Sequence, residues 1–238
     1  VYINQDKNAD VAVIWSVLWR GRMADNKPIW DNYRNTNRPV IVLEVGGLLR
    51  NDTFKIGING INRDADFANQ EVDDKRWPLF KKEMKPWNPN GDIIVICGQH
   101  DTSQQWIGLP KMEKWIQQKV EEIRKFTSRP ILIRPHPRNQ INFNVEKYKD
   151  VFMRLPKRDW NTYDDTDFKA TLGQTWAVVN HSSNPAIESV LAGIPVFVSQ
   201  SSLCYEVGNE YIADINTPAM PNRKQWAERL SYTEWWRE

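Results

Sequence analysis

Polar residues suited to anion binding follow an apolar run in the stretch from Thr175 to Gln200. The run gives way to the polar group Asn180 to Asn184, and Pro185 then marks the start of a helix that Gly193 closes. Proline favours the first helical turn, and glycine the position just after the last turn. A helix N-terminus carries unpaired N–H groups and a partial positive charge, so this position suits a phosphate. The side chains at this position are His181, Ser182, Ser183 and Asn184.

Glu188 lies about one turn further along the same predicted helix. Its carboxylate can approach the same cleft, where it suits the diol of a ribose. The alternative is that the serines only cap the helix and that Glu188 is a solvated helix residue. A single S-S-x-P-x-x-E pattern leaves both interpretations open.

Two further loops, 98–103 and 134–138, follow apolar runs in the same way. The carboxyl ends of parallel strands meet at one edge of a sheet, which is where ligands bind in α/β folds. With the 180–184 loop they supply arginines, imidazoles and hydroxyls, the groups that hold a nucleotide monophosphate or diphosphate. The candidate nucleotide-binding residues in these two loops are Gly98, Gln99, Arg134, His136 and Arg138.

A candidate catalytic base follows the apolar run 40–43, which ends in Glu44, Gly46 and Gly47. Glycine lets a backbone approach a ligand closely, and a carboxylate beside such a turn can accept a proton. Glu44 is therefore the first candidate for the base, and Asp101 is the second. The alternative for Glu44 is a structural pair with a nearby arginine.

The composition predicts a soluble globular protein without a marked charge. The 238 residues are 40% apolar, and 32 basic residues nearly cancel 30 acidic ones, so the overall charge does not indicate nucleic-acid binding. No apolar run is long enough to span a membrane. The two cysteines, Cys97 and Cys204, are too few for a disulfide framework and predict free thiols in the cytoplasm. The 12 tryptophans suit either core packing or stacking on bases and sugars.

Several other chemistries lack their motifs. The sequence has no GxxxxGK[ST], GxGxxG or GxSxG, which argues against P-loop, dinucleotide and α/β-hydrolase sites. The three histidines, His100, His136 and His181, each lie in one of the polar loops and suggest a metal triad. Because no carboxylate–histidine spacing typical of a metal site accompanies them, no metal is predicted.

Alternating apolar runs predict an α/β protein. In the first half, strands are expected at 11–14, 40–43 and 54–60 and a helix at 25–35. A segment rich in Pro, Asn and Gly, 77–91, predicts a linker. In the second half, strands are expected at 92–97, 131–133, 151–159, 176–179 and 194–198, and helices at 110–126, 166–172 and 185–192. The expected units are therefore 1–90, 91–220 and a C-terminal helix in 221–238.

Two motifs resemble a known family. RPHPR at 134–138, followed by NHSSNPAIESVLAGIPVFV, resembles the motif pair of GT-B glycosyltransferases of the capsule-polysaccharide type, which also occurs in bacterial sialyltransferases and Kdo transferases. The resemblance implies two Rossmann-like halves with parallel sheets and a cleft between them. It also implies transfer of a sugar from a nucleotide sugar without a metal or other cofactor, with donor contacts from His136, Ser182, Ser183 and Glu188.

The first half and the tail resemble small glycosyltransferase-like proteins of phage genomes, on RPVIVLEVGGLLRNDTFKIGINGINRDADF and NRKQWAERLSYTEWW. This resemblance implies a 5-hydroxymethylpyrimidine of phage DNA as acceptor and favours a UDP-sugar over a CMP-sugar as donor. The alternatives are a glycan acceptor of a capsule or lipopolysaccharide pathway, and a non-catalytic module that binds nucleotide sugars or nucleic acid. The expected acceptor-binding residues are Arg20, Arg22, Gly46, Gly47, Arg50 and Arg63.

Overall fold

The protein is described here by a computed structural model that covers residues 9–88, 91–156 and 165–237. In this part of the chain the strands form two sheets, one of four strands and one of five. The first sheet contains β1 (Ala12–Trp15), β2 (Val40–Val45), β3 (Thr53–Ile58) and β9 (Glu234–Trp236) in this spatial order. The second contains β4 (Ile93–Cys97), β5 (Ile131–Arg134), β6 (Val151–Met153), β7 (Thr175–Asn180) and β8 (Val196–Phe197).

The first sheet is mixed. Strands β1 and β2 are parallel and are joined by helix α1 (Asn26–Asn35), whose Trp30 and Tyr33 pack on the sheet. Strand β3 runs antiparallel to β2 because the connection 46–52 is too short for a parallel crossover. Strand β9 then pairs antiparallel with β3. The expectation of parallel sheets in both halves is therefore wrong for the first sheet, in which only one pair of strands is parallel.

The second sheet is parallel throughout, with the spatial order β6-β5-β4-β7-β8. Helices α2 (Met112–Arg124), α3 (Asp165–Leu172) and α4 (Pro185–Leu191) connect its strands. Successive residues of a strand face opposite sides, so Ile94 and Ile96 pack with α2 on one face while Val95 and Cys97 pack with α4 on the other. The direction of strand addition reverses between β4 and β7, and ligands bind at such a point in doubly wound sheets.

The chain returns from the second sheet to the first at its C-terminal end. Helix α5 (Lys224–Ser231) packs Trp226 and Leu230 into the core beside α4, and β9 follows on the first sheet. The predicted C-terminal helix is therefore a helix followed by a short strand. The backbone N–H of Trp19 donates to Thr102 O (2.9 Å) and that of Gln104 to Val17 O (2.9 Å), so the segments that follow β1 and β4 are bonded directly.

Most predicted elements of the second half are present within a few residues of their expected limits. Gly193 closes α4 with a φ of +81°, as expected for the residue after a helix. The predicted strand and turn 151–159 contains β6, and residues 157–159 lie outside the described part of the chain. Cys97 and Cys204 are both buried free thiols, as predicted. Within the described ranges, every helix is too short or too polar to cross a bilayer.

Candidate functional site

The loops that follow β4, β5 and β7 begin at the same edge of the second sheet, because the last residues of these strands are in register. Cys97, the last residue of β4, pairs with Arg134 on one side and with Asn180 on the other. Beyond the strands, the Gln99 amide joins the loops: its Oε1 accepts from the Ser182 N–H (3.1 Å) and its Nε2 donates to Ser182 Oγ (3.4 Å). Asn139 Nδ2 donates to Gln99 O (3.0 Å). The three loops therefore meet at the point where the strand order reverses.

The 180–184 loop, which we call the Ser-Ser loop, is stabilised by its own Asn180 side chain. Asn180 Oδ1 accepts from the Ser183 N–H (2.8 Å), and Asn180 Nδ2 donates to Ser183 Oγ (2.8 Å). The N–H groups of Ser182 and Ser183 thus bond to side chains, and those of Ala186 and Ile187 bond to the carbonyls of Ser183 and Asn184 just before α4. In contrast to the simple expectation for a helix N-terminus, the serine hydroxyls are the groups available here to donate to a phosphate, because each accepts one bond and keeps its own hydrogen.

His136 and His100 are in contact in this region, with ring centroids 4.2 Å apart and ring planes tilted by 46°. His136 Nδ1 accepts from the Arg138 N–H (3.1 Å), so a neutral His136 carries its proton on Nε2. Burial lowers the pKa of His136 to about 3, and the charges of His100, Arg138 and Arg50 contribute to this shift. The positive charge here therefore comes from the arginines, and a bound anion would interact favourably with it.

His100 contributes an unsatisfied group. Its Nδ1 is buried without a hydrogen-bond partner in the described structure, which is costly unless a ligand or water supplies one. The pKa of His100 is lowered mainly by burial and then by Arg20, while Asp101 opposes this shift. Basic side chains of the first unit, Arg20 and Arg50, therefore act on the histidines of the second.

His181 lies apart from the other two histidines. Its ring packs edge-on against Trp106 at 5.1 Å, and its Nε2 is 3.5 Å from Ser201 Oγ. Burial lowers its pKa. The histidines do not assemble as a triad, and the described ranges contain no cluster of three or more His, Cys, Asp or Glu side chains suited to a metal.

The remaining residues of the second half that were predicted for the site contact other parts of the protein or are partly buried. Arg134 is buried, with its guanidinium 5.4 Å from the centroid of the Phe168 ring. Gly98 brings the β4 loop against Pro135, since a Cβ at Gly98 would lie 3.5 Å from Pro135 Cα. Glu188 is half-buried on α4. Asp101 accepts from the Met112 N–H (3.1 Å) and so caps the start of α2.

Glu44 lies in a row of charged residues across the first sheet. Lys55 on β3 is directly opposite Glu44 on β2 and Glu234 on β9. Glu44 Oε1 also accepts from the Val45 N–H (2.9 Å). From the sequence, a nearby arginine is the alternative partner expected for Glu44, whereas the residue opposite Glu44 in the structure is a lysine.

Gly46 and Gly47 allow a loop to close around the buried carboxylate of Glu234. Oε1 of Glu234 accepts from the N–H groups of Gly47 (2.6 Å) and Leu48 (2.9 Å), and Oε2 accepts from Thr53 Oγ1 (2.7 Å). A Cβ on Gly47 would lie 3.1 Å from Asn184 Oδ1. Gly46 thus allows close packing against Thr53 and Glu234, and Gly47 allows close packing against Asn184.

The four arginines expected at an acceptor are dispersed. Arg20 and Arg50 act on the histidine pair. Arg22 is exposed in a short 3₁₀ turn. Arg63 is bonded to the 200–201 segment, because its N–H donates to Ser201 O and its Nη1 to Gln200 O, both at 3.0 Å. Only the first two border the candidate site.

Sequence reasoning missed Lys55 and Glu234. A weak signal exists for Lys55, since Thr53, Lys55 and Gly57 alternate with apolar residues along β3 and form its buried face. The alternation of polar and apolar residues by itself predicts that Phe54, Ile56 and Ile58 face the core instead. Glu234 has no such signal, because its partners are more than 180 residues away in sequence.

Gly46→Ala is expected to destabilise the fold by about 2–3 kcal/mol, because the new methyl group has no room. Its Cβ would lie 2.6 Å from Glu234 Oε2 and 2.9 Å from Thr53 O, and it would also clash with Thr53 Oγ1. The measurement is urea unfolding. Gly173→Ala is the matched control, since a Cβ there meets nothing within 4 Å. Equal effects of the two changes would show that the 46–48 loop is not tightly packed.

The protein is expected to lose stability as the pH falls below about 6.5, at pH values still above those at which carboxylates titrate, because of its histidines. The folded pKa of each histidine lies below its usual value of about 6.5, so the unfolded state binds more protons as the pH falls. Stability is therefore complete above about pH 6.5 and decreases below it; His136 alone would contribute a loss of about 2 kcal/mol by about pH 5. Urea unfolding of the wild type and of His136→Gln over this range tests the prediction, and an unchanged pH dependence in the variant would contradict it.

Known proteins resemble this chain in structure rather than in sequence. The sequence matches no protein-family model and no curated protein. The structure is similar to KpsC of Thermosulfurimonas dismutans described as a beta Kdo 2,7 transferase, with a TM-score of 0.52 and 14% identity over 93% of this chain and 75% of that chain. A second structure from that organism, KpsC described as a beta Kdo 2,4 transferase, gives 0.50 and 12% over 91% and 78%. At these identities the similarity shows the fold.

Proposed function

We propose that the protein is a glycosyltransferase that moves a sugar from a nucleotide-sugar donor to a hydroxyl group of a glycan. The observation that carries the proposal is the meeting of the 98–103, 134–138 and 180–184 loops where the strand order of the second sheet reverses. The fold shared with two structures described as Kdo transferases supports the same reaction class. A fold alone does not fix an activity, so the site chemistry has to carry the argument.

The donor would bind with its phosphate between the Ser-Ser loop and the histidine pair. The hydroxyls of Ser182 and Ser183, Nε2–H of neutral His136 and the exposed Arg138 offer donors and positive charge there. As the bond between the anomeric carbon and the phosphate oxygen breaks, the leaving nucleotide takes the electron pair. Preorganised donors around that oxygen stabilise the growing charge. This arrangement accounts for leaving-group stabilisation through side chains of the chain itself.

The acceptor hydroxyl needs a base as its oxygen attacks the anomeric carbon. We assign this role to Asp101, whose charge acts on His100 beside the proposed donor site. One of its oxygens, Oδ2, accepts from Met112 N–H, which leaves Oδ1 to receive the proton. Glu44 is the other candidate, although it faces Lys55 across the sheet.

The base assignment predicts unequal effects of two isosteric variants. Asp101→Asn is expected to lower kcat by about 10²-fold or more, in line with loss of general base catalysis, with little change in KM for the donor. Glu44→Gln is expected to change kcat less than about threefold. Initial rates over a range of donor concentrations distinguish the two, and the reverse order would reassign the base to Glu44.

The DNA acceptor expected from the phage resemblance has weaker support. Arg63 is bonded to the 200–201 segment, while Arg20 and Arg50 act on the histidine pair. A run of basic side chains along an exposed surface, as needed for a phosphate backbone, is not formed by these residues. A glycan hydroxyl is therefore our preferred acceptor, and modified DNA is the competing outcome of the assay.

The function is tested by a transfer assay with the purified protein. UDP-sugars and CMP-sugars, including CMP-Kdo, would each be offered with oligosaccharide acceptors and with duplex DNA that contains 5-hydroxymethylcytosine or 5-hydroxymethyluracil. Mass spectrometry then reports the added sugar. A mass gain on an oligosaccharide supports the proposal, and a gain on the nucleoside supports the DNA acceptor. Donor binding without any transfer would instead support the non-catalytic module.

A further inference from the structure

The innermost charged residues of the first sheet lie directly behind the Ser-Ser loop. Lys55 is 3% exposed, Glu234 is fully buried, and the two are paired across β3 and β9. Lys55 Nζ donates to Asn184 Oδ1 at 3.3 Å, a contact between residues 129 positions apart. Asn184 is the residue immediately before α4. A single buried lysine thus reaches from the first sheet to the loop that carries the serine hydroxyls.

The opposite side of this contact is fixed by Glu234. Its carboxylate accepts from the N–H groups of Gly47 and Leu48, which holds the 46–48 loop against β9, and from the hydroxyl of Thr53 on β3. Gly47 in turn lies so close to the Asn184 side chain that any larger residue would press against its amide group. The tail strand, the 46–48 loop and the start of α4 therefore meet at one point.

The charge balance shows why this cluster is stable only as a unit. Burial lowers the pKa of Lys55, whereas the carboxylates of Glu234 and Glu44 raise it. A buried ammonium without such partners carries a large desolvation penalty. The acid–lysine–acid row across β2, β3 and β9 supplies the compensation. Lys55 also makes one hydrogen bond outside this row, to Asn184, which lies beyond the first sheet.

We propose that Lys55 is a positioning residue of the donor site, which orients Asn184 and with it the Ser182–Ser183 loop, and that Glu234 of the last strand holds Lys55 and the 46–48 loop in place for this purpose. The assignment of the loop to a donor rests on the proposed function. The effect of Lys55 on the order of the first turn of α4, through its bond to Asn184, does not depend on that function. Lys55 and Glu234, which lie on either side of this loop in the sequence, thus both act on it.

The first experiment measures this connection without turnover. Hydrogen exchange at the amides of Ala186 and Ile187, which bond to Ser183 O and Asn184 O, reports the order of the first turn of α4. Lys55→Met is expected to speed this exchange by about tenfold. Lys224→Met removes an exposed lysine with an i,i+4 partner and is expected to leave it unchanged. Unchanged exchange in Lys55→Met would overturn the proposal.

A double-mutant cycle distinguishes positioning through Asn184 from general loosening. If Lys55 acts through Asn184, adding Lys55→Met to Asn184→Ala should speed exchange no further than Asn184→Ala alone. Additive effects would overturn the proposal. Should Lys55→Met fail to fold, Glu234→Gln keeps the shape of the side chain, removes the compensating charge and is expected to speed the same exchange by a smaller factor. An unchanged rate in Glu234→Gln would also overturn it.

Kinetics add the functional consequence. In an active enzyme, Lys55→Met should raise KM for the donor by about tenfold while kcat falls less than about threefold, since the loop is displaced but the base is intact. A loss confined to kcat would contradict the assignment. If the wild type transfers no sugar, the proposed function fails, and the exchange cycle still decides whether Lys55 orders the loop.

Discussion

His136→Ala is expected to lower kcat/KM for sugar transfer by about 10²-fold, because it removes a preorganised donor from the leaving phosphate. The neutral ring donates from Nε2, since Nδ1 is occupied by the Arg138 N–H. The expected loss lies mainly in kcat, as the charge on the nucleotide grows in the transition state. Steady-state kinetics with the donor identified by the transfer assay measure it.

The matched histidine deletion is His181→Ala. Its ring packs against Trp106 and lies near Ser201, away from the His100–His136 pair. We therefore expect a change in kcat/KM of less than about threefold, together with some loss of stability from packing. Equal losses in the two variants would contradict the position that we give to the leaving phosphate.

Glu234→Ala is expected to destabilise the protein by about 3–5 kcal/mol, because it removes one of the two carboxylates that compensate a buried lysine and leaves buried donors unpaired. The groups that lose their acceptor are the N–H groups of Gly47 and Leu48 and the hydroxyl of Thr53. Truncation after Thr233 should have at least the same effect, since it also removes the pairing of β9 with β3. Urea unfolding gives the free energies.

The control for this variant is Glu206→Ala. Glu206 makes a 2.7 Å ion pair with Arg229 in which both side chains are 37% exposed. Exposed pairs of this kind contribute about 0–1 kcal/mol, so the control should be nearly neutral. A Glu234→Ala protein as stable as the control would mean that the 46–48 loop finds other acceptors at little cost.

The second sheet was predictable because its strands are short continuous apolar runs separated by helical patterns. The runs 92–97 and 176–179 became β4 and β7 within one or two residues at each end. Strands that are buried on both faces form near-continuous apolar runs, which can be located from the local sequence. The first sheet was less accessible, since its strand direction depends on a short connection and on a tail strand of three residues.

The same difference separates the two parts of the candidate site. The loops with His136 and Ser182 follow strand ends and could be located from local pattern, whereas the row Glu44–Lys55–Glu234 depends on pairing between distant strands. Local sequence also could not show that side chains of Gln99 and Asn180 already use the N–H groups of the Ser-Ser loop. Tertiary contacts decide which donors remain for a ligand.

The return of the chain to the first sheet has a consequence for biosynthesis. Strands β4 to β8 are consecutive in sequence, so the second sheet can assemble as soon as residue 197 has left the ribosome. The first sheet begins earlier but lacks its edge strand, and the acceptor for Gly47 and Leu48, until residues 234–236 have emerged. Synthesis in N-to-C order therefore completes the downstream unit before the upstream one, and the nascent first sheet exposes the edge of β3 in the interval.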